Sequence, residues 1–414
     1  MAQFILFEDP AHFDLLPFTF TRPVCDIRSG IFTLRERWDL LLGQSSVPLV
    51  YDYLQVGFAA PDPTVSSVWI NGKLVATPEL VAIAQDLQPN SYLHHDGEVL
   101  MAQFAGQQLP EGHDGIITQA ILEDLGLTAQ SFSGTYEAIR FPEDIFQKNA
   151  QLLQADFPLA ATQTPAGSLN DPHTRVYGAD NIFVAEGAKV RAAILNAEDG
   201  PIFLGPGASI TEGAIVTKNH AILTGSTVNM GAKLRGDSTI GPHCKVGGEV
   251  ANSVLFGYAN KGHEGYLGNS VLGHWCNLGA DTNTSNLKNN YAEVRIWHYP
   301  TGRFRKTGTQ FCGLMMGDHS KAGINTMFNT GTVVGVSANI FGAGYPRNFI
   351  PSFSWGGAGS ISSYRLNKAL EVAEIVMKRR KIDLSEADKQ IMASIVELTA
   401  QHRRWEKQPV GNDA

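Results

Sequence analysis

The stretch Asn260–Gly268 reads NKGHEGYLG and places Lys261, His263, Glu264 and Tyr266 within six positions. A neutral imidazole whose pKa lies near the working pH is suited to take a proton as a general base. The sequence on both sides is strongly repetitive, and loops on rigid scaffolds are where chemistry usually resides. We therefore expect this segment to carry function. For His263 alone, an ordinary surface-loop histidine is the alternative interpretation.

Asparagines are dense immediately after this stretch. Such side chains can hydrogen-bond a sugar, but asparagine ladders can also simply satisfy backbone groups within a β-solenoid. Both interpretations remain open at this point. The asparagines concerned are Asn277, Asn283, Asn286, Asn289 and Asn290.

The scaffold around these residues is predicted from a six-residue period. A period of six fits neither a helix nor a long alternating strand, but it fits a coil of three short strands per 18-residue turn. One turn cannot bury its own aliphatic face, so neighbouring turns must stack. About 170 residues then make roughly nine turns. The unbroken series of aliphatic anchors is Leu204, Ile210, Val216, Ile222, Val228, Leu234, Ile240 and Val246.

The period slips by two residues between Val246 and the next anchor, Leu272. The series resumes at Leu278 and again from Met316 to Ile340. A slip of this kind predicts a loop that projects from one corner of the coil. The stretch NKGHEGYLG lies inside the slip.

The repeats divide the chain into three predicted regions, 1–165, 166–350 and 351–414. The first alternates apolar strands with helices, which favours a partly parallel sheet covered by helices. In this region SSVWINGKLVATPELVAIAQDL predicts a strand, an Asn-Gly turn, a second strand and a helix. The linker is predicted at Thr162–Pro172, and the last region is predicted to hold two helices, Ser363–Lys381 and Ser385–Trp405.

Composition narrows the class of protein. A hydrophobic content of 43% and a charged content of 17% describe a globular chain with ample core material. The formal net charge of -8 argues against non-specific binding of nucleic acid. The four cysteines are far apart and form no CxxC pair, which predicts reduced thiols in the core. The sequence has no recognisable signal peptide or membrane-spanning segment, so we expect a cytoplasmic protein.

The hexad code [LIV]-G-x-x-[AS]-x resembles that of the left-handed parallel β-helix acyltransferases. Within it, GHEGYLGNSVLGHWCNLGADTNTSN (Gly262–Asn286) resembles the acetyltransferase domain of the bifunctional N-acetylglucosamine-1-phosphate uridyltransferase/glucosamine-1-phosphate N-acetyltransferase family. The match has no gap. The implied fold class is an α/β nucleotidyltransferase-like domain, then a left-handed parallel β-helix of hexapeptide repeats, then C-terminal helices.

The resemblance implies roles for particular residues. His263 matches the general base that deprotonates the attacking sugar amine. Tyr266 matches a tyrosine near the sugar phosphate, and Asn277 and Asn286 match asparagines that hold the sugar. Ala280 falls where a backbone group accommodates the acyl group. A further match is the arginine in KLRGD, Arg235, which resembles a phosphate-binding arginine of the family.

Two features depart from the family pattern. A pair of phosphate-site lysines is replaced by Ala251 or Asn252 and by Ala292, so Lys261 or Lys288 is a candidate substitute. In addition, residues 291–311 form a longer segment that predicts a basic β-hairpin turning at 300–302. Its Arg303, Arg305 and Lys306 could bind the phosphates of coenzyme A or of a nucleotide sugar, or form a solvated tip.

The first region lacks the glycine-rich triphosphate loop that opens the complete family. Instead LLPFTFTRPVCDIRSGIFTLRERW (Leu15–Trp38) resembles a divergent group of sugar nucleotidyltransferases. Arg22 and Arg28 are candidate phosphate ligands after the first strand, although structural ion pairs are an equal alternative. Asp9 and Asp96 carry only a weak Mg²⁺ signal, and Mg²⁺ is expected only if this domain is active.

Three hypotheses follow. The leading one is an N-acyltransferase that uses acetyl-CoA and an amino-sugar phosphate, assembled as a homotrimer and without a nucleic-acid or membrane partner. The second places the chemistry in the first domain, as a uridylyl or thymidylyl transfer to a sugar 1-phosphate, with a structural β-helix. The third is a non-catalytic sensor of nucleotide sugars.

Overall fold

A computed structural model describes residues 3–62, 65–104, 109 and 112–406. The chain forms two compact units. The first consists of the residues up to Arg28 together with Phe32–Pro142, and the second contains Ser29–Ile31 and everything from Glu143 onward. No helix among the described residues is long and apolar enough to cross a bilayer.

The first unit is built on a mixed sheet of six strands. Its order is β2-β1-β3-β5-β4-β6, in which β1 is parallel to β2 and β3 whereas β5 is antiparallel to both of its neighbours. The partly parallel sheet predicted for this region is therefore present. The strands are β1 (Gln3–Phe7), β2 (Val47–Pro48), β3 (Ser67–Asn71), β4 (Ser91–His95), β5 (Glu98–Phe104) and β6 (Thr128–Ser131).

Helices with ordinary sequence signals accompany this sheet. The second helix begins with a capping box between Thr33 and Glu36 and stops at Gly43, whose φ of 69° is left-handed. The third begins with the Thr77 cap and carries proline at its first position. The helices are α1 (Ala11–Asp14), α2 (Leu34–Leu42), α3 (Pro78–Asp86) and α4 (Gln119–Asp124).

One predicted strand of the first unit is wrong. The segment after the Asn71-Gly72 turn forms only an isolated bridge between Leu74 and Ala138. Residues 73–76 are all buried rather than alternately exposed, and they run directly into the Thr77 cap of α3. Too few residues separate the turn from the helix to form a strand ladder.

The second unit opens with α5 (Pro142–Gln147) and α6 (Asn149–Gln163) and continues as a parallel β-solenoid. Its strands are short because each one forms a single side of a coil turn. Up to the asparagine-rich segment they are β7 (Arg175–Tyr177), β8 (Ile182–Val184), β9 (Lys189–Val190), β10 (Ile194–Asn196), β11 (Ile202–Leu204), β12 (Ser209–Ile210), β13 (Ile215–Val216), β14 (His220–Ile222), β15 (Thr227–Val228), β16 (Lys233–Leu234), β17 (Ser238–Ile240), β18 (Lys245–Val246), β19 (Glu249–Ala251), β20 (Val254–Leu255), β21 (Asn260–Lys261), β22 (Tyr266–Gly268), β23 (Val271–Leu272), β24 (Asn277–Leu278) and β25 (Asn283–Thr284).

A hairpin, β26 (Arg295–His298) and β27 (Arg303–Lys306), interrupts the coil as the sequence predicted. The solenoid then resumes. Its remaining strands are β28 (Leu314–Met316), β29 (Lys321–Ala322), β30 (Met327–Phe328), β31 (Thr332–Val334), β32 (Asn339–Ile340), β33 (Phe349–Ile350), β34 (Ser354–Gly356) and β35 (Ile361–Ser363).

Every third strand of the coil belongs to the same face. The first face is the sheet from β7 to β22, the second face is the nine-stranded sheet from β8 to β33, and the third face is the ten-stranded sheet from β9 to β35. Within each face, strands of neighbouring turns pair in parallel, and only β35 is antiparallel to its neighbour. The predicted fold class, an α/β domain followed by a parallel β-helix and C-terminal helices, is confirmed.

The aliphatic anchors form the interior of the coil. All eight anchors from Leu204 to Val246 are at most 1% exposed, and they belong to one continuous core cluster. Burial of this stripe is the main stabilising term of a solenoid, because a turn has no other core.

The register slip has a different cause from the predicted one. Val228 pairs with Val246, eighteen residues on, but Val246 pairs with Lys261, fifteen residues on, and Asn260 pairs with Asn277, seventeen residues on. Fifteen is three fewer than eighteen. Two of the three missing residues come from the corner after β18, where only Gly247 and Gly248 connect to β19, and the third comes from the next corner, where Val250 and Leu255 are five residues apart whereas their partners Leu234 and Ile240 are six apart. The predicted projecting loop is therefore absent, and the coil has shortened corners instead, of which the one at Gly247 and Gly248 is shortened by two residues.

Two helices follow the coil, α7 (Leu366–Lys378) and α8 (Glu386–Leu398). The predicted cap of the second is present, since Ser385 and Asp388 form a capping box. Helix α7 packs on a corner of the coil, where Ala373 and Met377 join Trp275 in one apolar cluster. The part of the predicted tail beyond Glu406 lies outside the described residues.

Candidate functional site

The short corner creates a recess beside His263. Four residues, 229–232, connect β15 to β16, and four, 262–265, connect β21 to β22, whereas the corner between them has two. The two neighbouring corners therefore project further outward from the coil than Gly247 and Gly248 do. A groove of ≈ 440 Å³ lies over these two glycines, with His263 and Glu264 on one side and Asn229 and Met230 on the other.

Both glycines of the corner are needed for close contact with the His263 corner. A Cβ on Gly247 would lie 2.4 Å from the carbonyl oxygen of Gly262. A Cβ on Gly248, whose φ is +67°, would lie 2.9 Å from the carbonyl oxygen of His263 and 2.7 Å from that of Gly265. The absence of side chains at Gly247 and Gly248 therefore allows the backbone around His263 to pack closely on the turn below.

Lys261 holds the same backbone from inside the coil. It pairs with Val246 on the third face, so it occupies an inward position that is aliphatic in the turn below, and it is only 2% exposed. Its Nζ donates to the carbonyl oxygens of His263 at 2.6 Å and Glu264 at 3.2 Å. Burial lowers the pKa of Lys261 to about 8, partly offset by the charges of Glu264 and Asp281.

A second side chain ties this corner to the corner two turns below it. Asn229 Nδ2 donates to the carbonyl oxygen of Gly262 at 2.7 Å. The backbone of the corner is therefore held by donors from two directions. The His263 side chain itself is exposed, and among the described residues its ring has no hydrogen-bond or ion-pair partner.

The first face carries a connected polar group next to this corner. Asn286 Nδ2 donates to the hydroxyl of Tyr266 at 3.0 Å and to Asn269 Oδ1 at 2.7 Å. Arg235, two turns below, is exposed and pairs with Glu249 at 2.7 Å between Nη1 and Oε1. Burial raises the pKa of the Tyr266 hydroxyl, although the positive charge of Arg235 opposes this.

The other predicted residues lie on the third face and on the next corner. Asn277 Oδ1 accepts from Asn260 Nδ2 at 2.7 Å. Ala280 is in the corner directly above His263, where the amide of Asp281 donates to the carbonyl oxygen of Glu264 at 3.0 Å. The His263 corner thus joins the face that holds Asn277 to the face that holds Tyr266.

One of the two interpretations left open for the asparagines, satisfaction of backbone groups, is seen at Asn283, whereas binding of a sugar stays a prediction. Asn283 Oδ1 accepts from the amide of Tyr266 at 2.8 Å, and Asn283 Nδ2 donates to the carbonyl oxygen of Asp281 at 3.0 Å. This side chain satisfies backbone groups of the coil. Asn286, by contrast, contacts the tyrosine and asparagine side chains described above and is part of the polar group on the first face.

The basic hairpin is largely engaged within the second unit. Arg305 makes two bonds of 2.6 Å to the carboxylate of Glu143, and Lys306 lies 3.1 Å from Glu293. Arg303 is exposed at the hairpin turn. Arg305 in particular is a structural partner of Glu143, because both side chains of the pair are mostly buried.

In the first unit, the predicted arginines are buried or paired. Arg22 is 5% exposed and donates Nη1 to the carbonyl oxygen of Phe18 at 3.1 Å. Arg28 lies 3.1 Å from the Glu36 carboxylate. The ion-pair alternative therefore describes Arg28 as the structure has it.

The weak Mg²⁺ candidates do not come together. Asp9 is buried and contacts Lys73 Nζ and Asn71 Nδ2, the latter at 3.0 Å, whereas Asp96 is exposed at the turn between β4 and β5. Among the described residues there is no group of three or more His, Cys, Asp or Glu that could hold a metal ion.

The residues around Asp9 were not predicted from the sequence. Asp9 follows β1 and Asn71 ends β3, so the carboxyl ends of two adjacent parallel strands meet there. Lys73 bridges Asp9 and Glu98, and Glu98 also accepts from Arg140 at 2.8 Å and from Tyr136 at 2.6 Å. Although burial opposes it, these donors hold the pKa of Glu98 at about 2. The signal that could have found this group is INGK directly after a buried strand.

Known proteins resemble parts of the chain. Residues 4–164 match a family model described as sugar nucleotidyl transferase. The bifunctional protein GlmU of Trichormus variabilis is 31% identical over 150 residues, which cover 34% of this chain and 29% of that protein. GlmU of a Nostoc species is 34% identical over 117 residues, covering 26% of this chain and 25% of that protein. The chain thus matches less than a third of the length of these relatives.

Two solved structures show remote likenesses to the chain. The polySia specific acetyltransferase NeuO has a TM-score of 0.26 and 15% identity, covering 47% of this chain and 85% of its own. The UDP-N-acetylglucosamine acyltransferase of Francisella novicida has a TM-score of 0.24 and 12% identity, covering 54% of this chain and 90% of its own. Scores this low carry no weight for function.

Proposed function

We propose that this chain catalyses acyl transfer. The chain is similar to the bifunctional GlmU proteins, and its divergent N-terminal domain matches the sugar nucleotidyl transferase family. Both similarities agree with the resemblance seen in the sequence. The reaction is transfer of an acyl group, with acetyl as the expected one, from coenzyme A to the amine of an amino-sugar phosphate. The observation that carries the proposal is the exposed His263 beside a groove, on a corner whose backbone is fixed by Lys261 and Asn229.

The proposed chemistry needs one base and little else from side chains. The sugar amine attacks the thioester carbonyl carbon, and His263 accepts the proton that the nitrogen loses. When the tetrahedral intermediate collapses, the carbon–sulfur bond breaks and the thiol of coenzyme A leaves with a proton. Backbone N–H groups stabilise the developing oxyanion, and the Ala280 corner, one turn above His263, is the candidate for this role.

The polar groups on the two faces support binding of a phosphorylated sugar. Arg235 is exposed and its guanidinium is suited to hold a phosphate. Tyr266 and Asn286 form the adjoining polar group on the same face, and Asn277 lies on the other face of the corner. Lys261, a predicted substrate ligand, is proposed instead to position the loop, because its ammonium group is buried and occupied by two carbonyl groups.

The edge of the coil that carries His263 also supports a subunit contact. Met230 borders the groove and is 73% exposed, and Ile324, on a later corner of the same edge, is 72% exposed. The two side chains are four turns apart on one edge, and their exposure is the observation that supports covering of this edge by a partner. We propose that a neighbouring copy in a homotrimer covers this edge and completes the groove.

The test measures thiol release from acetyl-CoA with a panel of amino-sugar phosphates. His263→Ala should lower the rate at least about 10²-fold, the usual scale for removal of a general base. The matched control is His173→Ala, because His173 is exposed on an early turn of the coil and lies outside the groove. Unchanged turnover in His263→Ala would remove this residue from the reaction.

A second candidate function rests on the first unit. The family match at residues 4–164, and the meeting of Asp9, Asn71 and Lys73 at the ends of β1 and β3, support nucleotidyl transfer to a sugar 1-phosphate. Its assay is pyrophosphate release from UTP or dTTP in the presence of sugar 1-phosphates and Mg²⁺. Absence of both thiol and pyrophosphate release would favour the remaining candidate, a non-catalytic nucleotide-sugar sensor.

A further inference from the structure

A second pocket lies at the C-terminal end of the coil. It has a volume of ≈ 720 Å³ and is bounded by the hairpin β26–β27, by residues around Phe349 and by the segment that follows α8. Its size is within the range of about 300–1,000 Å³ that is usual for small-molecule sites. It shares no lining residue with the groove at His263, so a ligand here would occupy a separate site.

Aromatic rings form the walls of this pocket. Trp297 stacks on Phe349 with ring centroids 4.1 Å apart and an interplanar angle of 10°, and Phe304 meets Trp297 edge-on at 5.4 Å. His402 lies edge-on to both Trp297 and Phe349, and Trp405 adds a fifth ring. Such a set of rigid planar surfaces favours a planar ligand.

The aromatic walls also include a donor that is not satisfied. The indole N–H of Trp297 is buried and has no acceptor among the described residues. Burial lowers the pKa of His402, and the charges of Arg404 and Arg403 lower it further. A heterocycle with ring nitrogens and carbonyl oxygens offers acceptors to such a wall, which a plain hydrocarbon does not.

The rim of the pocket is positively charged. Arg347 and Arg404 both line it and are exposed, neither makes an ion pair within the described part of the chain, and no carboxylate side chain is in the lining. The turn 357–360 adds backbone to the same rim, and a Cβ on Gly359 would meet nothing within 4 Å. Two guanidinium groups beside an open backbone turn are suited to a multiply charged anion.

We propose that this pocket binds a nucleotide, with its base against the aromatic walls and its phosphates on Arg347 and Arg404. Adenosine diphosphate, as it occurs in coenzyme A, and uridine diphosphate, as it occurs in nucleotide sugars, share this chemistry. The inference stands independently of acyl transfer at His263, because it uses none of the residues of that groove.

The test is calorimetric titration of the full chain with ADP, UDP and inorganic pyrophosphate. The pocket variant is Arg347→Gln with Arg404→Gln. The matched control is Arg379→Gln with Arg380→Gln, which removes the same charge from exposed positions at the end of α7. All four substituted side chains are exposed, and equal melting temperatures will show that the fold is retained.

We expect at least one nucleotide to bind more tightly than pyrophosphate, and its binding to weaken at least tenfold in the pocket variant but not in the control. A preference for ADP would indicate the coenzyme A source, and a preference for UDP would indicate the nucleotide-sugar source. Pyrophosphate binding as tight as that of both nucleotides would leave no role for the aromatic walls and would overturn the proposal. Undiminished nucleotide affinity in the pocket variant, or no binding of either nucleotide at millimolar concentration, would overturn it as well.

Discussion

Replacing Lys261 by methionine should separate stability from activity. The ammonium group lies at an inward position that is filled by Val246 in the turn below, and burial lowers its pKa from 10.5 to about 8. A base whose pKa is lowered on folding destabilises the folded state. This cost is fully present below about pH 8 and disappears as the pH rises through the unfolded value of 10.5.

The size of the effect follows from the shift. A shift from 10.5 to about 8 corresponds to about 3 kcal/mol at pH 7. Methionine keeps the length of the side chain, removes the charge and leaves the carbonyl groups of His263 and Glu264 without this donor, which costs about 1–2 kcal/mol. We therefore expect Lys261→Met to be about 1–2 kcal/mol more stable than the wild type at pH 7, as is common when a buried charge becomes apolar.

The assay is urea unfolding of both chains at pH 7, 8.5 and 10, with acyl transfer measured in parallel. The stability difference between variant and wild type should fall by roughly 2 kcal/mol over this range, since the cost in the wild type fades. The control is Lys245→Met, because Lys245 is exposed on the preceding strand of the same face and should change neither quantity. A difference in stability that is the same at pH 7 and pH 10 would refute the reasoning.

The rate of acyl transfer should fall in Lys261→Met, although the stability at pH 7 rises. Without the Lys261 ammonium group the His263 corner loses two of the donors that fix its backbone. We expect the rate to fall by about 10-fold or more, because misplacement by an ångström at a reacting group is costly. A variant that is both more stable and fully active would show that Lys261 has no positioning role.

Two further predictions concern backbone contact and a buried ion pair. Gly248→Ala should lower acyl transfer more than Gly231→Ala does. Both glycines have left-handed φ values, +67° and +70°, and this conformation costs each variant about 1 kcal/mol of stability. Only at Gly248 would the Cβ also meet the backbone of the His263 corner, so this variant loses more stability than Gly231→Ala does. Equal rates in the two variants would contradict this reasoning. Arg305→Ala should destabilise the second unit by about 3 kcal/mol in urea unfolding, because it leaves the Glu143 carboxylate buried without its partner, whereas the exposed Arg303→Ala should have little effect.

The coil was predictable because its stability depends on a repeated apolar position. Each anchor from Leu204 to Val246 must be aliphatic for the turns to stack, so the six-residue period can be recognised from the sequence. The hairpin at β26–β27 and the cap at Ser385 were predictable for a similar reason, since turn and cap residues act locally.

The form of the candidate site was not predictable in the same way. The register slip was visible, but two residues added in a protruding loop and four residues lost from shortened corners produce the same slip in a six-residue pattern. Lys261 was read as a surface ligand because a lysine is not expected at an inward position. Only the pairing of Val246 with Lys261, fifteen residues on, shows that the ammonium group faces the interior.

The two irregularities of the coil depend on each other. A corner of two glycines allows the backbone of residues 262–265 to sit close over Gly248, where any Cβ would displace it. The carbonyl groups of His263 and Glu264 in this corner accept from the ammonium group of Lys261, which lies inside the same turn. An aliphatic side chain would stabilise the coil more, yet it could not hold these two carbonyl groups. A buried charge that lowers stability while fixing a single exposed histidine is expected where position matters more than stability, and this is the physical reason to look for the chemistry at His263.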